Sequence, residues 1–214
     1  ALFLATLRLW SLVPERTAHE AAAGTGKAPT TLANSFAGWL SPVLFALYAA
    51  LEMSTGLWAA SVLVVARGFA TEKAAWCAAG FYGAITVGRV LVGFVVDRAG
   101  NRRVVVLGAL VALAGSGLFI FARSEWLAAL ALGAIGLGFA PIYPGLMHEV
   151  PRRFAPEAAQ TVIGRQSGTA YLGMAVLPAA LGWLAQHSLE SMPAVIAGGT
   201  LVLLLGIRRL DRLT

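Results

Sequence analysis

Six predominantly apolar runs, at about 37–65, 75–96, 104–122, 126–149, 160–185 and 192–207, divide this chain, with short charged turns between them. A helix crossing the hydrocarbon core of a bilayer needs about 20 apolar residues, and each run has roughly that length. A water-soluble domain cannot hide so much apolar surface: of 214 residues, 58% are hydrophobic and only 12% charged. A membrane β-barrel would read as short alternating segments, and these runs do not alternate. The expected fold class is an all-α membrane protein with six transmembrane helices.

Lys and Arg set the orientation of such a bundle. Six crossings place Arg8, Arg16, Lys27, Arg98, Arg102, Arg103, Arg152, Arg153, Arg165, Arg208, Arg209 and Arg212 on one side, and Arg67, Lys73 and Arg123 on the other. Twelve against three predicts that both chain ends are cytoplasmic. The net charge of +6 therefore reflects topology, and no basic stripe with interleaved aromatics points to nucleic acid. Cys77 is the single cysteine, which excludes a disulfide framework. His148 and Glu149 are adjacent on a helix and point apart, so no metal site is expected. No glycine-rich phosphate loop with a Lys-Ser/Thr end is present, and no nucleophile–base pattern appears, so neither an ATP-driven pump nor an enzyme is expected. No cofactor is called for. The start of the chain shows no basic leader or cleavage site.

Small residues recur at helical spacing, as in Gly108, Ala112 and Ser116 and again in Gly136 and Ala140. Such rows let membrane helices approach closely. Pro141 and Pro144 interrupt the fourth run and predict a bend there, since proline removes a backbone donor.

Between the second and third runs lies the pattern Gly-x-x-x-Asp-Arg-x-Gly-x-Arg-Arg, formed by Gly93, Asp97, Arg98, Gly100, Arg102 and Arg103. Read as a short charged hairpin, it resembles the cytoplasmic loop signature of major facilitator superfamily transporters, with Asn101 at a position that is usually basic. Tyr48, Glu52, Gly56 and Trp58 resemble the seventh helix of the fucose-permease-like carriers. Gly138, Pro141, Tyr143 and Pro144 resemble their tenth helix. Gln166, Gly168, Gly173 and Pro178 resemble their eleventh.

The resemblance covers about 37–207 and implies the carboxy-terminal half of such a carrier, built as two inverted three-helix repeats. On it, residues 1–13 are the tail of a preceding sixth helix, 14–36 a cytoplasmic central linker and 208–214 a cytoplasmic tail. The implied partners are a small-molecule substrate, protons, the lipid bilayer, and either a second six-helix bundle or a second copy of the chain. The implied setting is the bacterial inner membrane. A sugar driven by a proton gradient is the expected cargo. An efflux carrier of drugs or metabolites, or a non-transporting scaffold or solute sensor, remains open.

Glu52 is the sharpest candidate for substrate binding or proton coupling. An ionised carboxylate in mid-helix costs about 2.5 kcal/mol or more in a bilayer, so it must be paired, neutralised or wet. Tyr48 and Thr55 lie on the same helical face. Trp58 and Tyr143 are candidates for stacking on a sugar ring, and either Gln166 or Tyr171 is expected to reach a cavity. Arg89 is either the counter-charge of Glu52 or a snorkelling side chain, and its position two turns before Asp97 favours snorkelling or a structural pair. Asp97 is expected to accept hydrogen bonds from Arg102, Arg103 or the start of a neighbouring helix, with Glu149 as a second acceptor. Together these residues would form a gating latch.

Overall fold

A computed structural model describes residues 33–214; residues 1–32, with the expected helix tail and most of the expected linker, lie outside the described residues. Six helical spans are long and apolar enough to cross a membrane. In chain order the helices are α1 (Phe36–Ser61, continued by a π-helical turn Val62–Ala66), α2 (Thr71–Ala99), α3 (Asn101–Phe121), α4 (Glu125–Phe139), α5 (Ile142–Arg153), α6 (Pro156–Ala185) and α7 (Met192–Leu213). No strand occurs among the described residues.

The helices outrun the apolar stretches that predict them. The 29 residues of α2 extend about 44 Å at 1.5 Å per residue, against a hydrocarbon core of ~30 Å. Charged residues such as Glu72 and Arg98 thus belong to helix ends standing in the interface. For the same reason α7 continues helically to Leu213.

The expected charged hairpin is shorter than its motif. Gly93, Asp97 and Arg98 lie in the last turns of α2, and Arg102 and Arg103 lie in the first turn of α3. Only Gly100 stands between the two helices, at φ 84° and ψ 134°. A Cβ-bearing residue is strained there, so the glycine permits a reversal in a single residue.

Packing follows the small residues. The span made of α4 and α5 is the most deeply buried, and α4 lies between α2 and α3. Gly138 rests on the backbone of Ala112 and Gly108, while Gly136 rests on Phe81 and Ala84. On the other side α1 packs on α6 and α7, with Gly173 against the backbone of Ala46. Pro141 separates α4 from α5, and Pro144 falls in the first turn of α5, where a missing donor costs least.

At the end opposite the Gly100 turn, Arg67 ties three connections together. Gly68, at φ 70°, closes the first span, donating its N–H to Val64, and Phe69 donates back to Leu63. This turn aims Arg67 at the carboxyl end of α3. Its guanidinium donates to the carbonyls of Phe119 (2.8 Å), Ala122 (2.8 Å) and Ile120 (3.3 Å). It also pairs with Glu190 at 3.3 Å and lies 4.9 Å above the Phe119 ring. Carbonyls with spare acceptor capacity and the negative end of the helix dipole make this a favourable place for a cation.

Two outcomes check this packing. Gly138→Leu drives a side chain into the α3 backbone and should destabilise by about 1–3 kcal/mol, whereas Gly133→Ala, which meets open space, should leave detergent melting unchanged. Arg67→Ala strands buried carbonyls and should cost about 3 kcal/mol. Glu190→Gln keeps the carbonyl bonds and should cost less than about 1 kcal/mol in the same melts.

Candidate functional site

Half-way along the bundle, α1, α2, α5 and α6 enclose a cavity of about 260 Å³. Glu52 stands on its wall sixteen residues into the first span, near mid-depth. Tyr48, one turn earlier, donates its hydroxyl to the Glu52 carboxylate. Arg89 reaches across from α2, with Nη2 at 3.5 Å from Glu52 Oε1. Arg89 is thus within pairing distance of Glu52 instead of snorkelling toward the helix end. Its alkyl stem and the rise of α2 bring the head level with α1.

Five aromatic side chains, Phe45, Tyr48, Tyr82, Tyr143 and Tyr171, line the cavity. Tyr143, at the start of α5, lies 4.9 Å from Phe45 between ring centroids and 6.4 Å from Tyr48. The Tyr48 ring is also set edge-on to Phe139 at 5.8 Å. Tyr171 and Ser167 enter from α6, with Met53 and Met174 as apolar lining. The break at Pro141 ends α4 just before Tyr143, so the sequence feature that predicts a bend also places this ring at the cavity.

Other candidates lie elsewhere. Thr55 is fully buried and donates its hydroxyl to the Leu51 carbonyl. Trp58 donates its indole N–H to the Pro178 carbonyl at 3.1 Å, fastening α1 to α6. Gln166 is buried and donates to the Ser41 hydroxyl at 2.9 Å. None of these three lines the cavity. Tyr171 does, and it lies on a different face of α6 from Gln166.

Sequence reasoning missed Tyr82 and Ser167. Tyr82 precedes Arg89 by two helical turns, and Ser167 precedes Tyr171 by one, so each shares a face with a recognised polar residue. Gly56 makes room for Tyr82, because a Cβ at that position would collide with the phenol hydroxyl.

A second polar constellation occupies the arginine-rich end, and its centre is Glu149 rather than Asp97. Glu149 is buried and accepts from Asn101 Nδ2 at 3.0 Å and Arg102 Nε at 3.0 Å, with Arg153 Nε at 3.4 Å and Arg152 Nη1 at 3.5 Å. Asn101 also donates to the Gly145 carbonyl at 2.9 Å. A longer cation at position 101 could not fill this slot in the same way. Arg153 bonds Asp211 at the end of α7 as well. Asp97 and Arg103 are exposed and form no ion pair among the described residues. Among the described residues Asp97 thus accepts from neither Arg102 nor Arg103, and the ion pairs centred on Glu149 join α3, α5 and α7. Asp211 and Arg153 were not singled out from the sequence as members of this network, and Asn101 stood out only as a departure from a usually basic position. Among the described residues no three His, Cys, Asp or Glu side chains gather as a metal site.

The family model described as Major Facilitator Superfamily matches residues 28–212. That match spans nearly the whole chain, including every helix lining the cavity and both sides of the Gly100 turn. The chain belongs to the major facilitator superfamily, a family of secondary transporters.

Proposed function

We propose that this bundle forms one wall of a proton-coupled carrier for a small polar solute, with a sugar as the first candidate, working by alternating access. The observation that carries the reading is the exposure of Glu52 and Arg89. Their side chains are 24% and 48% exposed within the bundle, at mid-membrane depth. Hydrocarbon does not tolerate an ion pair left that open. The face presented by α1, α2, α5 and α6 therefore meets water and protein, not lipid.

A second six-helix bundle supplies that protein in this reading. The apolar windows of α2 and α6 are each only 17% buried, against 56% for the span formed by α4 and α5. Both poorly covered helices border the cavity, so one facing bundle would cover them and close the solute pathway. Ion-paired ends let such a bundle rock as a unit while access changes sides.

Chemically, the cavity offers a carboxylate, a guanidinium and phenol hydroxyls beside aromatic faces. Sugars present hydroxyls to such acceptors and donors and apolar C–H faces to such rings. Protonation of Glu52 cancels its charge and releases Arg89 and Tyr48 to bind the solute. Deprotonation restores the pair after release. Met53, Met174 and Phe45 favour a second reading, an amphipathic solute carried by the same site, and a substrate panel separates the two.

Reconstituted in proteoliposomes, the carrier should take up sugar on an inward proton gradient, and Glu52→Gln should abolish that dependence while folding persists. Gradient-driven uptake that is unchanged in this variant removes Glu52 from the coupling. Sugar binding that is absent, alongside binding of amphipathic cations, selects the second reading. Asp97→Ala should leave the melting temperature unchanged but alter the rate of conformational exchange, because Asp97 forms no ion pair among the described residues. Glu149→Gln, which weakens a buried charge network, should destabilise by about 3 kcal/mol.

A further inference from the structure

The arginine-rich ends of α3 and α7 form a groove of about 500 Å³ on the side of the bundle away from the solute cavity. Neither helix contributes a residue to that cavity. Arg102, Arg103 and Arg208 stand around the groove, and Asp211 is the acid among its lining residues. Asp211 is already bonded to Arg153, and Arg102 is already bonded to Glu149. Arg103 and Arg208 form no ion pair among the described residues and are exposed. The groove thus keeps uncompensated positive charge.

Below these heads runs an apolar wall. Arg103, Val106, Leu107 and Leu110 follow each other at helical spacing along one face of α3. Leu107 and Leu110 are 58% and 38% exposed. From Arg103 to Leu110 the helix descends about 10 Å, from the membrane surface into the hydrocarbon region. Cationic heads at the surface above an open apolar track match one ligand shape, an anionic head joined to an acyl chain.

We propose that this groove binds an anionic phospholipid of the leaflet that faces the arginine-rich end. Guanidinium forks suit phosphate oxygens through paired charge-assisted hydrogen bonds. A basic pocket between transmembrane helices on the cytoplasmic side is a suitable seat for such a headgroup. A zwitterionic lipid carries its own cation beside the phosphate and gains less from the same arginines. A free phosphate gains nothing from the leucine wall.

Native mass spectrometry of the detergent-purified chain tests the assignment, with phosphatidylglycerol and phosphatidylcholine of matched acyl length as probes. Phosphatidylglycerol adducts should dominate, and Arg103→Gln with Arg208→Gln should weaken their binding about tenfold. Arg209→Gln removes one charge from the same membrane face outside the groove and should change binding little. Should the double variant fail to fold, Arg208→Gln alone, at an exposed position near the chain end, should still lower adduct occupancy. Equal losses in the Arg209 variant would show a diffuse surface field and overturn the site. Displacement of the lipid by soluble glycerol phosphate at comparable concentration would overturn the lipid source. Equal adducts with both lipids would overturn the charge recognition.

Discussion

Hydrocarbon solvates neither a peptide group nor a charge, and the arrangement of this bundle follows from where that deficiency is met by protein. Helices satisfy their own backbones, which leaves side-chain polarity as the remaining difficulty. At mid-depth it is met by Tyr48 and Arg89 converging on Glu52. Those three groups are poorly suited to lipid, and on the proposed function they mark the side of the bundle that faces the solute pathway. The lipid-facing surface is fixed by the same reasoning in reverse. Leu107, Leu130, Leu201 and Leu205 are exposed and apolar, and none of them lines the cavity.

Charge at the two ends is handled differently. Opposite the Gly100 turn, Arg67 binds carbonyls at the carboxyl end of α3, and Glu190 holds both Arg67 and Arg123. At the arginine-rich end, Glu149 and Asp211 gather the ends of three helices around two carboxylates. Each network joins helices of this bundle to one another, so each stiffens it as a body. Asp97 and Arg103, beside the Gly100 turn, are exposed and form no ion pair among the described residues.

Much of the fold was legible because membrane insertion writes itself into hydropathy. Six spans, the proline interruption and the glycine rows all follow from length, donor loss and side-chain size. Boundaries were less legible, because charged helix ends such as Glu72 and Arg98 read as loops in a hydropathy profile although they continue a helix. Within the cavity, Glu52 and Tyr48 were visible as a one-turn pair. Arg89 was ambiguous, since its partner lies 37 residues away in sequence and only the α1–α2 packing brings them together. Thr55, Trp58 and Gln166 illustrate the converse. Helical spacing says that a polar residue shares a face, but not whether a carbonyl or hydroxyl within reach has already taken its hydrogen bond.

The Asp-Arg-x-Gly-x-Arg-Arg pattern combines demands that act separately in space. Gly100 serves backbone geometry and allows two long helices to meet across one residue. Arg102 completes the Glu149 network, with Asn101 beside it bridging to Gly145. Arg103, one position on, borders the same α7 groove as Arg102 but is exposed and forms no ion pair among the described residues. Adjacent arginines on one turn of helix therefore differ in pairing, because 100° of rotation per residue separates them. Within this bundle the motif supplies a reversal, an internal clasp and a surface charge. Its compactness in sequence comes from the single-residue turn, which forces all three into one short segment.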